Sequence, residues 1–553
     1  MKNRRRYRNQ PPPVARHSLT VPPQTKKSIA MSTQRHLHDL ALSRRNLLLS
    51  GASLAVLPWL GRFALGAVIR RPVFEQDPFQ MGVASGDPTS DGVVLWTRLA
   101  TDPLNGGGMK PESYEVKWEV ATDEGFQQIV QSGTELATPQ LGHSVHVELS
   151  GLKADTWYWY RFHAGDAVSR IGKTRTMPAM NIMPEQLKFA FASCQHYESG
   201  YFTAYDHMAK ENLDLVLHLG DYIYEYAGMD NRVRKHHGPE ITTLEHYRNR
   251  YAQYRMDQSL QNMHALCPWV VVWDDHEFDN NCAGAISEES HVSPAEFLLR
   301  RANSYQAYYE NMPLRRTCLP QGPDMTLYRT IDFGRLARFE MLDTRQYRTD
   351  QPNGDKLKPL EGGVFDSLGT MLGDKQERWL MSDLLQSQAK WNVLGQQVMM
   401  ARVDRAAGAE AKFSMDQWAG YDISRKKLLD FMATRRISNP VVLTGDIHSN
   451  WVNDLKVDFD NAKEAIVASE FVCTSISSGG NGLQFVKGHA ELMAENPFVK
   501  FQNSERGYVS CTVTPKEWRS DYQVVEFVDK PNAPLINRGT WVVESGKAGA
   551  VKA

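Results

Sequence analysis

The feature that most constrains this chain is a set of short apolar runs, several of which stop abruptly at polar side chains able to bind a metal. The runs are "LKFAFAS" (187–193), "LDLVLHL" (213–219), "PWVVVW" (268–273), "WNVLGQQV" (391–398) and "PVVLTG" (440–445). Each has strand length and no polar alternation, as expected of strands covered on both faces. Helical patterns separate them, as in "GDKQERWLMSDLLQSQAK" (373–390), which places Leu372, Trp379, Leu380 and Leu384 near one face. Asp374 and Glu377 at its start have capping-box spacing. Strands alternating with helices predict a layered α/β domain with active groups at the carboxyl ends of the strands.

Four runs end in chemistry. "FASCQH" delivers Cys194, "HLGDYIY" Asp221 and Tyr224, "VVVWDDHEFDNN" Asp274, Asp275 and His276, and "LTGDIHSNW" Asp446 and His448. Singly these are a buried thiol, a turn aspartate, a solvated acidic loop and a hydrogen-bonded histidine. Together, at one topological position, they predict a metal centre.

The region from about Phe74 to Met180 follows another rule. "YEVKWEV" alternates Tyr114, Val116, Trp118 and Val120 with polar partners, and "HSVHVELSGL" repeats this with Val145, Val147 and Leu149. Short alternating strands with turns between them predict a β-sandwich. The spacing of Leu152, Thr156 and Tyr158/Tyr160 resembles a fibronectin-III strand near its tyrosine corner. This region gathers no acids or histidines at one strand end and is read as a packing or substrate-gating module. A β-rich tail (507–528) is expected to close a second sheet.

The first 67 residues are basic and proline-rich up to "SRRNLLLSGASLAVLPWLGRFALGA" (43–67). The paired Arg44 and Arg45, a short apolar run and small residues at Ala64, Gly66 and Ala67 resemble a twin-arginine export signal. Met31 gives a signal of usual length. The apolar run is short of the roughly 20 residues that span a bilayer, so no stable membrane insertion is expected. The formal net charge of −1 argues against a general nucleic-acid or membrane-surface binder. Six cysteines are too few for a disulfide scaffold, and spacing leaves their pairing open.

The order of these motifs resembles the calcineurin-like metallophosphatase superfamily. "FASCQ", "GDYIYEY", "VWDDHEFDNN", "LDTRQYR" and "LTGDIHSNW", with "MGVASGDPTSDGVVLWTRL" (81–99), match its PhoD-type alkaline phosphatase/phosphodiesterase branch over about residues 72–540. The resemblance implies a four-layer αββα catalytic domain at 185–540, preceded by a fibronectin-III-like β-sandwich at 72–180. It implies iron(III) held by Cys194, Asp221, Tyr224 as phenolate, and His448, with Asp221 shared between two metals. Asp275 and Asp446 would hold the second ion, and Asn280 or Asn281 would add an oxygen, Asn281 being the candidate carried forward. Tyr222 would face away, and the role of His196 stays open.

No histidine lies between His291 and His448, where the interval offers "LGQQVMM", and Asp446 replaces a histidine of related motifs. Carboxylates and amides suit calcium better than zinc or a second iron, with manganese also able to fit. The implied activity is hydrolysis of small phosphate monoesters or diesters, with metal ions neutralising the ester and generating hydroxide. His276 would contact the phosphoryl group or protonate the leaving oxygen. Arg345 would clamp phosphate bidentately, or else pair with Asp343. The expected protein is exported by the twin-arginine machinery to the periplasm or beyond. Two other classes compete: an exported metal-binding or adhesion module without turnover, and a redox iron site.

Overall fold

The structure is a computed structural model that describes residues 67–406 and 408–553. The expected export signal lies outside the described residues except for Ala67.

All five apolar runs become strands paired in parallel with another of the five. Leu187–Ala192, Leu215–Leu219 and Trp269–Val272 lie side by side in one sheet. Ala337–Met341, Trp391–Gly395, Pro440–Thr444 and Ile466–Val472 form a second parallel set, so "WNVLGQQV" and "PVVLTG" also sit as expected. Val499–Val513 pairs antiparallel both to Leu187–Ala192 and to Asn450–Lys456, joining the two sets along one long strand. The tail therefore does enter the sheets. Glu517–Val525 and Leu535–Glu544 extend it further.

The continuous apolar patterning has a direct cause. In the second set Val393, Val441 and Leu443 face one large core, which also holds Phe189, Leu217 and Val271 of the first set. Leu394 and Val442 face the other way, onto Leu380 and Leu384 of the Gly373–Gln386 helix and Leu428 and Leu429 of Asp422–Thr434. A strand with both faces covered has no position for a solvated residue.

The cap expected at Asp374 is not formed. The helix begins at Gly373 with Leu372 as its N-cap and no side-chain cap. The N-cap thus lies two residues before the expected one, and Gly373 adopts φ +65°, where a Cβ would meet that of Tyr347 at 3.0 Å. A full capping box occurs instead at Ser293 and Glu296, opening Pro294–Asn311, where Pro294 at the first turn is a supporting signal in the sequence.

Within the N-terminal region, Ser113–Ala121, Ile129–Ala137 and Trp157–Ala164 form an antiparallel sheet. Tyr158, Tyr160 and Phe162 point into a core shared with Val83, Leu95, Val145 and Val147 of a facing sheet. The Tyr158 hydroxyl accepts the Lys153 backbone N–H at 3.0 Å. The facing strands Val83–Gly86, Val94–Arg98 and Ser144–Glu148 do not stand apart, because Gly86 pairs with Trp269 and carries the first parallel set onward. Hence His146, an outward position in an alternating strand, is buried beneath the Pro294–Asn311 helix. Its Nε2 lies 3.0 Å from the carbonyls of both Tyr309 and Met312. All six cysteines are free and buried.

Candidate metal centre

Parallel strands deliver the site at their carboxyl ends, and the turns that follow are tight. Cys194, Asp221, Asp446 and His448 all adopt left-handed φ, between 52° and 65°, a conformation that costs non-glycine residues energy and concentrates at functional sites. Gly220 makes one turn possible: a Cβ there would lie 2.3 Å from the Asp274 Cβ, so adjacent strand ends meet only because this residue has no side chain.

Two donor groups share Asp221. Ligand atoms of Cys194, Asp221 and His448 lie within 4.8 Å of one another, as do those of Asp221, Asp275 and His276; a third group joins Asp274, Asp275 and Asp446. Tyr224 closes the first group. Its hydroxyl donates to Asp221 Oδ2 at 2.8 Å and lies 3.2 Å from His448 Nε2. Tyr222 points elsewhere, with its hydroxyl 2.9 Å from His264 Nε2. His196, left open by the sequence, turns Nδ1 to the Ser199 hydroxyl at 2.8 Å and sets its ring edge-on to Tyr224.

Asn281 reaches the site through its backbone. Its amide donates to Asp355 at 3.1 Å, while its backbone N–H binds Asp275 Oδ2 at 2.7 Å. Asn280 donates its side-chain amide to Glu288. Gln396 and Gln397 of "LGQQVMM" are buried braces, the first to Thr444 and the second to Thr344 and Leu342.

Arg345 is fully buried, and its guanidinium is directed at carboxylates: Nε to Asp274, one terminal nitrogen to both oxygens of Asp416 at 2.9 and 3.0 Å, the other to Asp446 at 3.3 Å. Asp343 accepts only from the Arg345 backbone N–H among the two groups of that residue. Asp416 is held in turn by Arg348. Nothing in "SMDQW" (414–418) signals this role for Asp416; it follows from the fold alone.

Glu225 and Glu277 also lacked assigned roles. Glu225 Oε2 lies 2.8 Å from His276 Nδ1. Glu277 accepts the backbone N–H groups of Asp221, Tyr222 and Asp274 at 3.0, 2.6 and 2.7 Å, pinning two ligand turns to one carboxylate. Both are acids inside the quoted motifs, and that adjacency was their available signal. Ser478 has none: its hydroxyl lies 2.7 Å from the Tyr224 oxygen and 2.7 Å from the Cys194 carbonyl.

The electrostatics call for cations. Burial, reinforced by Asp275 and opposed by His276, pushes Asp221 up to about 7. Burial raises Asp274 and Asp446 well above the carboxylate range against the pull of Arg345. Asp275 goes the other way: burial is outweighed by Arg345 and His276, which hold it below the usual range. Asp221 Oδ1 and Asp274 Oδ2 are buried with no hydrogen-bond partner, a costly state for a carboxylate unless a cation meets it. The donors therefore fit two ions. The sulfur, phenol and imidazole side suits a transition metal, and the carboxylate side suits a hard cation. His276 is pushed well above the imidazole range: burial alone would lower it, but Glu225, Asp221 and Asp275 prevail.

The chain is similar to known proteins in both sequence and fold. The family model of the PhoD-like phosphatases matches residues 189–522, and that of the PhoD-like phosphatase N-terminal domain matches 66–178. A protein of Bacillus subtilis (strain 168), alkaline phosphatase D, is 51% identical over 504 residues, 90% of this chain and 86% of that protein. A solved structure described as that of PhoD superposes with a TM-score of 0.85 at 52% identity, covering 87% of this chain and 93% of the other.

Proposed function

The chain belongs to the PhoD-like phosphatase family and is a phosphoric ester hydrolase of the alkaline phosphatase D type, and from that premise we propose how its residues divide the work. Cys194, Asp221, Tyr224 and His448 hold iron(III). Asp221, Asp275 and Asp446 hold calcium, with Asp274 alongside; Asn281 contributes an oxygen if its amide leaves Asp355. The ions supply Lewis acidity: they offset the charge of the ester and lower the pKa of water.

The side chains do the rest. Glu225 fixes His276 through Nδ1 and keeps the ring protonated, so Nε2–H is available to the phosphoryl group or the leaving oxygen. Arg345 acts as a positioning residue that gathers Asp274, Asp416 and Asp446, rather than as the expected phosphate clamp. Glu277 fixes the turns bearing Asp221 and Asp274. The layering supports the four-layer αββα reading of residues 185–540, and the two facing N-terminal sheets support the fibronectin-III-like reading of 72–180.

The observation that carries this reading is the buried, partnerless Asp221 Oδ1 at the junction of a soft and a hard donor set. The substrates are small phosphate esters. p-Nitrophenyl phosphate and bis(p-nitrophenyl) phosphate should both be assayed, to separate monoesterase from diesterase action. Activity should vanish on chelation and return with calcium, and elemental analysis should find iron. Reactivation by zinc above calcium would overturn the metal assignment.

Among the described residues no helix is long and apolar enough to cross a membrane. Export through the twin-arginine machinery to the periplasm or outside the cell rests on the Arg44–Arg45 pair. Replacing both by lysine should retain precursor in the cytoplasm; mature protein outside it would refute the signal.

A further inference from the structure

An anionic ester needs a cationic side chain with free donors, and Arg345 has committed its own. Three further arginines around the centre are engaged too. Arg348 binds Asp416 and the Cys282 carbonyl, Arg250 binds the carbonyls of Tyr224 and Pro239, and Arg506 binds those of Gly480 and His448.

We propose that Arg405 is the guanidinium that grips the phosphoryl oxygens of the substrate, a proposal that rests on the phosphoesterase reading above. Among the described residues its side chain makes no hydrogen bond or ion pair; only its backbone N–H is bonded, to Lys412 O at 2.8 Å. The guanidinium carbon lies 5.7 Å from the centroid of the Trp451 ring. Trp451 follows Asp446 and His448 on the same segment and is locked by a 2.8 Å bond from its indole N–H to Ser449. The Arg405 guanidinium therefore lies beside the strand that follows the turn bearing Asp446 and His448.

The residue is exposed, yet enough protein surrounds it to lower its pKa, with Asp446 the charged group that opposes this. Such a guanidinium is weakly hydrated and presents paired donors matched to phosphate oxygens. Stacking over an indole would restrict its motion without using its donors. Asp404 and Asn496 anchor the base of the segment: Asp404 N–H donates to Asn496 Oδ1 at 2.8 Å, and the Asn496 amide returns to the Asp404 carbonyl at 2.9 Å.

The test uses the metal-loaded full chain with inorganic phosphate as the probe, measured as a competitive inhibitor and by equilibrium dialysis. Arg405→Ala should weaken phosphate binding roughly 10- to 100-fold, the range of a lost charge-assisted hydrogen bond, and raise KM for p-nitrophenyl phosphate, with iron and calcium contents unchanged. Arg405→Lys should recover part of the loss, since it restores charge without the paired donors. An Arg405→Ala protein that binds phosphate within twofold of wild type would overturn the proposal. A wild-type chain that binds both metals and hydrolyses neither ester would instead overturn the phosphoesterase reading.

Discussion

The N-terminal sheets and the strand ends of the catalytic sheets both bury histidines, tyrosines and left-handed residues, but they treat them differently. In the N-terminal region buried histidines are matched, and the buried side-chain atoms without partners are neutral hydroxyls, those of Ser85, Tyr160 and Thr174. His146 meets two carbonyls, His143 Nε2 lies 3.0 Å from the Glu112 carbonyl, and Tyr158 closes on Lys153. Left-handed φ at Phe126 and Asp155 falls in turns between strands. At the catalytic strand ends the same residue types converge, φ is left-handed at four ligand candidates, and carboxylate oxygens are left without partners. Burial of polar groups is therefore not the signature of the site. Convergence combined with incomplete satisfaction is, because it leaves an electrostatic demand that an ion answers.

The sharpest way to break this contrast is at the shared carboxylate. Asp221→Asn should cost more activity than the 10–100-fold typical of losing an outer partner of a metal ligand, and both metal contents should fall together. His276→Ala should be milder for an ester with a good leaving group and lose about 10²–10⁴-fold for one that needs a proton. An Asp221→Asn protein that keeps both metals and wild-type turnover would defeat the assignment of a bridging residue.

Arg345→Met tests whether the carboxylate side depends on its internal cation. Removing one partner of a buried ion-pair network typically costs about 3–5 kcal/mol, so the metal-free variant should unfold at clearly lower denaturant concentration. Added calcium should narrow the gap. Equal stability of the two metal-free proteins would show that Arg345 is not what gathers the carboxylates.

Colour separates the two neighbouring tyrosines. Iron(III) bound by phenolate and thiolate should tint the protein, and Tyr224→Phe should shift or remove the visible band while Tyr222→Phe leaves it in place. Three identical spectra would take Tyr224 out of the iron's surroundings.

The smallest effect is expected in the N-terminal region. Burial holds His146 down to about 4, despite the raising influence of the Met312 and Tyr309 carbonyls. Because the folded value lies below the unfolded one, the neutral ring's contribution is intact above about pH 6.5 and is lost as pH falls toward 4. The loss is at most about 3 kcal/mol. His146→Gln should flatten the stability profile across that window and leave ester hydrolysis largely unchanged. An unaltered slope would remove His146 as its source, and a large loss of activity would erase the distinction between the two regions.

The sequence by itself determined five buried strands and the placement of chemistry at the ends of four of them. Period and run length are local properties, and a strand such as Leu215–Leu219 advertises its burial in every residue. It also singled out Cys194, Asp221, Tyr224, Asp275, Asp446 and His448, since each closes an apolar run or lies within a few residues of its end. Only the tertiary structure decided which donors are already spent. Arg345 reads as a phosphate clamp or a partner of Asp343 until Asp274, Asp416 and Asp446, residues up to 101 positions away, close around it. The Asn281 amide turns to Asp355, Glu225 reaches His276, and Asp416 joins a site its own segment never announced. Hydrogen-bond satisfaction is a pairing between distant segments, and local patterning carries no record of the partner.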